Sequence, residues 1–352
     1  MPMKARIDTK GLFACFDAGL AHDSGDAVNV EISAVAWDGR RLVFGSDKNV
    51  PGRHRSPVFA LEIDDGRPVA DSLGFYTASL IKHAEKYEDF ALSDDGQFLI
   101  ATTGFDRVDD DSAAQDAYNR LLVWPVDAPD DVQLVADRHN DGVASSVPLR
   151  DDLSTALGAP YFKIEGLASI PGEDAGDDPL LLFGIREVGA DHENFTYVAQ
   201  VVAAPYRIDQ AGALSFTGAF EMVYEFEPAA WPAVRFDVGL SSLEFDPTND
   251  RLLFLTSFEV DDGAGGDRLG AYLWSLDVAD FHAGRAPRLV HDEQGEALEF
   301  ANKAEGVAVL PDGRLFVVYD PDRALKLESD HPRDARDPHE APYTLLTLVD
   351  ET

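Results

Sequence analysis

Short apolar runs, joined by turns rich in Asp and Gly, recur five times along the chain. Each repeat opens with a Ser or a Glu, continues into an apolar run, reaches a turn, and ends in a second apolar run. Two apolar runs joined by a turn predict a β-hairpin, and five hairpins in series predict an array of repeated units. The opening residues of the five repeats are Ser33, Glu88, Glu165, Ser241 and Glu305.

Further strand-like runs follow the hairpins and build each unit up to four strands. In the first unit these runs are Val58–Ile63 and Gly74–Ile81. The fifth unit has one further run, at residues 343–349, and so lacks a strand. An apolar stretch at residues 10–17 has no hairpin partner, and we expect it to complete the fifth unit and close the ring.

The predicted fold is therefore an all-β, five-bladed β-propeller whose last blade is closed by an N-terminal strand. A six-bladed ring is the alternative. Because repeated units pack only on their neighbours, residues 1–352 can form one propeller domain. Residues 138–160 predict a long surface loop with a short helix near Leu149–Leu157, and loops of this length often bind ligands or act as lids.

The opening residues of the five hairpins predict a polar ring. In a propeller the innermost strands line the central channel, so these three carboxylates and two hydroxyls would meet in one funnel. Carboxylates at such range need positive charge between them. A single axial calcium ion is one source, because calcium prefers oxygen ligands. The other source is Lys86, Lys163 and Lys303, each two residues before a ring glutamate and on the same strand face.

Charged residues follow the second strand of most hairpins. Four of them are cations that we predict to bind a small anionic molecule: Lys48, Arg107, Arg186 and Arg323. Asp47, Asp106 and Asp320 come from the same segments. They are candidates for the general base of a hydrolysis in which a metal ion activates water. The alternative is that all seven side chains form ordinary surface ion pairs.

The order Ser, Glu, Glu, Ser, Glu resembles that of the calcium-dependent apyrases, a family of five-bladed propellers with one calcium ion on the axis. The segments Ile164–Ala168 and Ala304–Val309 also resemble bacterial phytase-like or esterase-like propellers. These resemblances imply that the protein hydrolyses a small anionic phosphoester or phosphoanhydride. They also imply calcium ligands at five positions: Ser33, Glu88, Glu165, Ser241 and Glu305.

Two further functions are compatible with the sequence. One is a non-catalytic propeller that an axial calcium ion stabilises and that binds a partner through its loops. The other is a lactonase-like propeller, in which calcium activates a cyclic ester. The Asn and Asp ligands usual in that group are not evident at the opening positions of the blades, so this alternative ranks last.

The composition limits the partners and the location. A formal charge of -36 argues against binding to nucleic acids or to anionic membranes, which both need a basic face. The single cysteine, Cys15, leaves no internal disulfide. Neither a signal peptide nor a membrane-spanning run is evident. We expect a cytoplasmic monomer, with a periplasmic or secreted location as the alternative.

Overall fold

Five antiparallel sheets make up most of the structure, a computed structural model that describes residues 3–108, 112–261, 267–329 and 331–349. The first strand of each sheet contacts the first strand of the next sheet, and the fifth contacts the first. The five sheets thus form a closed ring, and the prediction of a five-bladed β-propeller is confirmed. The inner strands, in chain order, are Ile32–Trp37, Tyr87–Leu92, Tyr161–Ile170, Gly239–Asp246 and Lys303–Val309.

Blades 1 and 2 have four strands each. Blade 1 continues outward through Leu42–Ser46, Val58–Leu61 and Gly74–Phe75. Blade 2 continues through Phe98–Thr103, Leu121–Pro125 and Gln133–Leu134. The predicted strand Gly74–Ile81 is wrong beyond Phe75, because Ser79–Lys82 form a single helical turn that buries Ile81.

Blades 3 and 4 have an additional outer strand each. Blade 3 continues through Leu180–Asp191 and Asn194–Ile208. Two short outer strands pair with Asn194–Ile208, namely Leu214–Phe216 and Glu221–Glu225. Blade 4 continues through Arg251–Asp261 and Asp267–Asp277. Two short outer strands pair with Asp267–Asp277, namely Arg288–Leu289 and Glu299–Phe300.

Blade 5 combines the two ends of the chain. Its inner strand is followed by Leu315–Asp320 and Glu340–Val349, and the N-terminal strand Lys4–Ala14 is the outermost. Lys4 lies opposite Val349 and Ala14 lies opposite Glu340 in an antiparallel register. The predicted closure by an N-terminal strand is confirmed, although the strand starts earlier than the apolar run at residues 10–17.

The hydrophobic core lies between neighbouring blades. Each blade packs on two others, so both faces of its first two strands are buried and the apolar residues run without alternation, as in the fully buried second strand of blade 1, Leu42–Ser46. Between blades 5 and 1, Phe13 packs on Phe44 and Phe316, with ring centroids 4.6 and 6.3 Å away. Burial of such rings is a major source of stability in a fold without disulfides.

Short elements connect the blades. The predicted helix in the loop at residues 138–160 is confirmed as Pro148–Leu157, with Pro148 at its start and Gly158 in the left-handed conformation at its end. The remaining helices and minor strands are Val278–His282, Ala70–Ser72, Ala113–Tyr118, Pro129–Asp131, Pro228–Ala230, Ile63–Asp64, Arg67–Pro68, Arg138–Asn140 and Val143–Ser145. Within the described residues, every helix lacks the length and apolar content needed to cross a membrane.

Candidate functional site

A β-bulge occurs at the same place in all five inner strands. In each blade the register with the second strand skips one residue of the inner strand. For example, Ile32 pairs with Ser46 and Ala34 with Gly45. Bulges re-aim side chains and are frequent beside active sites. The five skipped residues are the predicted ring residues Ser33, Glu88, Glu165, Ser241 and Glu305.

All five bulged residues are buried at one end of the channel, and each is at most 3% exposed. Polar side chains at this depth need partners, because an unpaired buried charge costs several kcal/mol. The lysines two residues upstream supply most of the positive charge. Lys303 contacts Glu305, and Lys86 Nζ lies 3.5 Å from Glu88 Oε1.

Lys163 links the ring glutamates of blades 2 and 3. Its Nζ lies 3.5 Å from Glu88 Oε1 and contacts Glu165. The second oxygen of Glu165 lies 3.2 Å from Arg186 Nη1. Glu88 and Glu165 therefore face one buried centre of positive charge, as the ion-pair alternative predicts.

The two carboxyl groups respond differently to this environment. Burial raises the pKa of Glu88 well above its usual value, and the charges of Lys163 and Lys86 oppose the rise only in part. Burial acts in the same direction on Glu165, but Arg186, Lys163 and Lys303 outweigh it and bring its pKa to about 2. The ring thus holds one carboxylate firmly ionised beside one that tends to keep its proton.

In blade 4 the residue two positions before the ring residue Ser241 is Gly239, where other blades have a lysine. The side chain of Arg186 occupies this space, and a Cβ on residue 239 would lie 2.5 Å from Arg186 Cγ. Glycine therefore leaves room for the arginine, which donates a hydrogen bond to Ser257 Oγ at 2.8 Å and lies over the Tyr197 ring. Arg186, which the sequence analysis predicted to bind a small anionic molecule, is 2% exposed and forms part of the ring wall.

Several ring oxygens have no hydrogen-bond partner among the described residues: Ser33 Oγ, Glu88 Oε1 and Glu165 Oε2. Ser241 differs, because its hydroxyl donates to the backbone oxygen of Ala304 at 2.9 Å. Calcium selects buried oxygen ligands without nitrogen or sulfur, although Glu88 Oε1 and Glu165 Oε2 already lie 3.5 and 3.2 Å from the nitrogens of Lys163 and Arg186. The donor set therefore fits a hard cation, although calcium itself stays a prediction.

A second acidic cluster lies beside the ring, between blades 1 and 5. Oxygens of Glu31, Asp47 and Asp320 lie within 4.8 Å of one another. The three ring glutamates do not form such a close set among the described residues. Lys48 Nζ lies 2.7 Å from Asp47 and 3.2 Å from Glu31, and Arg323 Nε lies 3.3 Å from Glu31.

Glu31 is a member of this cluster that the sequence analysis missed. It lies two residues before Ser33, where three other blades have their lysine, and that spacing was a usable signal. Asp320, beside it, is buried. Burial and the neighbouring charge of Glu305 raise its pKa to about 8, although Lys303 opposes the rise.

An open cleft of about 1010 Å³ adjoins the ring on the side of blades 2 and 3. Asp106 lines it, 2.7 Å from Lys86 Nζ. Burial disfavours the charge of Asp106, but Lys86 and Lys163 more than compensate and lower its pKa. The cleft is also lined by four cations: Lys86, Arg107, Arg150 and Lys163.

Arg150 and Glu187 are cleft residues that the sequence analysis did not single out. Arg150 comes from the helix Pro148–Leu157 and lies over the Phe162 ring. Glu187 accepts a hydrogen bond from Tyr161 Oη at 2.6 Å. Arg107, predicted to bind substrate, is half exposed and lies over the Tyr118 ring, 4.6 Å from its centroid. Of the predicted cations, Arg107 lines this cleft, while Lys48 and Arg323 lie at the acidic cluster.

Comparisons with solved structures give matches of low sequence identity that span almost the whole chain. A gluconolactonase from Xanthomonas campestris matches with 13% identity and a TM-score of 0.36, covering 99% of this chain and 98% of its own. The PQQ-bound aldose sugar dehydrogenase from Streptomyces coelicolor matches with 11% identity and a TM-score of 0.35, covering 97% and 99%. A levansucrase variant from B. megaterium matches with 11% identity and a TM-score of 0.44, covering 96% and 89%. No family model matches the chain, and no curated protein matches it.

Proposed function

We propose that the protein is a calcium-dependent hydrolase that acts on a small anionic ester at the ring end of the channel. The observation that carries the proposal is the five-fold bulge. It places Ser33, Glu88 and Glu165, with two further oxygen-bearing residues, at one buried end of the channel, where three of their oxygens make no hydrogen bond to the described residues. A repeated distortion of this kind is expected where side chains must meet at one point.

The cleft supplies the remaining groups. Lys86, Arg107, Arg150 and Lys163 line it and suit a substrate that carries a phosphate or carboxylate. Asp106, whose pKa is lowered, is ionised at neutral pH and is the candidate general base. A bound calcium ion would polarise the ester and acidify a water molecule.

Asp47 and Asp320 lie apart from this cleft, in the acidic cluster with Glu31. With its raised pKa, Asp320 is protonated over much of the neutral range and is the candidate for a proton donor to a leaving group. Lys48, shared between Glu31 and Asp47, helps to hold this cluster together.

Two substrate classes remain in the proposal. Phosphoesters and phosphoanhydrides follow from the resemblance to apyrases and phytases. Lactones are the second class: opening the ring of a cyclic ester produces a carboxylate, and the cations of the cleft suit that product as well. The gluconolactonase with a similar fold acts, by its description, in glucose metabolism.

A non-catalytic propeller is the competing function. The observation that favours it is the contact of Lys163 with both Glu88 and Glu165, which neutralises ring charge without any metal. In that case the ring is a structural core, and the cleft binds a partner without chemistry.

The test is a turnover assay with a panel of phosphomonoesters, nucleoside diphosphates and sugar lactones, with calcium and with a chelator. We expect calcium-dependent hydrolysis of one class, lost in Asp106→Asn by a factor of about 100 or more. Asp130→Asn, a change at an exposed acid far along blade 2, is the matched control. If calorimetry shows that calcium binds but no substrate is turned over, the hydrolase proposal is wrong and the non-catalytic propeller is the function that remains.

A further inference from the structure

The end of the channel opposite the ring opens into a second cavity of about 380 Å³. It lies where the inner strands end, so every blade contributes to its wall. Ser33 and Trp37 are four residues apart on one strand, which separates ring and cavity by about 13 Å. The volume is that of a small-molecule site.

The wall of this cavity is mostly apolar. Trp37, Leu92, Phe245 and Val309 come from four different blades, and each keeps part of its surface accessible because it borders the open space. Apolar and aromatic walls with a few polar groups are typical of sites for small organic molecules.

Glu244 is a carboxyl group of the inner wall, and it has no counter-ion among the described residues. Its Oε1 accepts the N–H of Val309 at 3.0 Å. Burial raises the pKa of Glu244 to about 8, and Asp246, itself paired with Arg251 at 2.9 Å, acts in the same direction. The other charged group beside Glu244 is the buried Asp89, which is also acidic. Among the described residues, the ring glutamates all have a lysine or arginine within reach, whereas no cation faces Glu244.

The rim continues the acidic character of the cavity. Asp94 and Asp95 are exposed at its edge, and its described lining includes no Lys, Arg or His. The potential in the cavity is therefore negative, in a protein that carries a formal charge of -36. Such a site favours a cation over a neutral or anionic molecule of the same shape.

We propose that this cavity binds a small organic ammonium compound, whose charged nitrogen pairs with Glu244 and whose apolar body packs on Trp37 and Phe245. The amine supplies the counter-ion that the protein lacks at this position. Aromatic faces attract ammonium groups and accept apolar groups equally well. The proposal does not rest on the hydrolase, because the two sites lie at opposite ends of the channel.

The test compares three probes of nearly equal shape on the full chain: 2-phenylethylamine, 2-phenylethanol and 3-phenylpropionate. Binding is measured by isothermal titration calorimetry at pH 9 and physiological salt, where charge on the protein surface is screened. We expect one amine per chain, the alcohol bound at least about tenfold more weakly, and no heat from the carboxylate. Equal binding of amine and alcohol, or no binding of the amine at millimolar concentration, overturns the proposal.

Two variants locate the site. Glu244→Gln keeps an acceptor for the Val309 N–H and removes the charge, and we expect it to weaken the amine at least about tenfold while leaving the alcohol unchanged. Asp130→Asn, at an exposed acid outside the lining of this cavity, is the matched control, with a change below about threefold. Near-ultraviolet circular dichroism checks the fold of both variants. An unchanged amine affinity in Glu244→Gln overturns the proposal, and the comparison of probes on the unmodified chain stands even if this variant does not fold.

Discussion

Lys163 Nζ lies 3.5 Å from Glu88 Oε1 and also contacts Glu165, so one buried amine serves the ring glutamates of two blades. Neighbouring carboxylates raise the pKa of this lysine well above its usual value, although burial opposes the rise. The amine is therefore charged at neutral pH. Its removal leaves two buried carboxyl groups with less positive charge between them.

We predict that Lys163→Met destabilises the protein by about 3–5 kcal/mol, the usual cost of removing one partner of a buried ion pair. Urea unfolding at pH 7 measures the change. Lys326→Met, at an exposed lysine, is the control and should cost less than about 0.5 kcal/mol. A loss below about 1 kcal/mol for Lys163→Met would show that the ring does not depend on this amine.

A comparison of Ser33→Ala with Ser241→Ala tests whether the ring takes a cation. Without calcium, Ser33→Ala should be neutral or slightly stabilising, because its hydroxyl is buried without a partner. Ser241→Ala should cost about 1 kcal/mol, because it removes a hydrogen bond to Ala304. If calcium binds the ring, Ser33→Ala should weaken that binding, which calorimetry measures. Equal calcium affinity in Ser33→Ala and the unmodified protein would remove this serine from the ligand set.

Asp89 holds three inner strands together in the middle of the channel. Its Oδ2 accepts the backbone N–H of Leu167 at 2.9 Å and of Leu243 at 3.0 Å, and its Oδ1 accepts the N–H of Phe90. Asp89→Ala leaves these buried donors unpaired, and each costs about 1–3 kcal/mol.

We therefore expect Asp89→Ala to lose at least about 3 kcal/mol of unfolding free energy, or to fail to fold in the cell. Asp130→Ala, on the surface of the same blade, is the control. A urea midpoint for Asp89→Ala within experimental error of the control would contradict this role.

Stability should depend on pH through Glu244. Its folded pKa of about 8 lies above the ordinary value of 4.5, because burial disfavours its charge. The folded state thus holds a proton that the unfolded chain releases, and stability falls as pH rises from 4.5 to 8, by at most about 1.4 kcal/mol per pH unit. Glu244→Gln removes this part of the dependence.

The measurement is urea unfolding of the unmodified protein and Glu244→Gln at pH 5, 6.5 and 8.5. We expect the stability of the variant relative to the unmodified protein to rise steadily across the series. A difference that is constant over the three pH values would mean that Glu244 does not titrate in this range.

The hairpin pattern was sufficient to predict the blades, because each inner strand and its partner lie next to each other in the chain. The closing strand Lys4–Ala14 was also predictable, since the fifth unit lacked one strand and the N-terminus had one to spare. The five ring positions followed from the same repeats. Whether those residues bind calcium stays a prediction.

The bulges could not be predicted, because a bulge is defined by the register with the second strand and leaves no composition signal at the skipped residue. Arg186 was predicted to follow the second strand of its hairpin because it comes after an apolar run. The strand Leu180–Asp191 in fact continues past it, and Gly239 in the next blade makes its space. Asp89 was overlooked because its partners, Leu167 and Leu243, are distant in the chain.

The pairing of Lys4–Ala14 with Glu340–Val349 has a consequence for biosynthesis. The strand Lys4–Ala14 is synthesised long before the strand Glu340–Val349 that becomes its neighbour. Contacts between such distant segments form slowly, and until then the edge strand of blade 5 is exposed to pairing with other chains. The growing polypeptide is therefore vulnerable to aggregation until Glu340–Val349 has been synthesised and has paired with Lys4–Ala14.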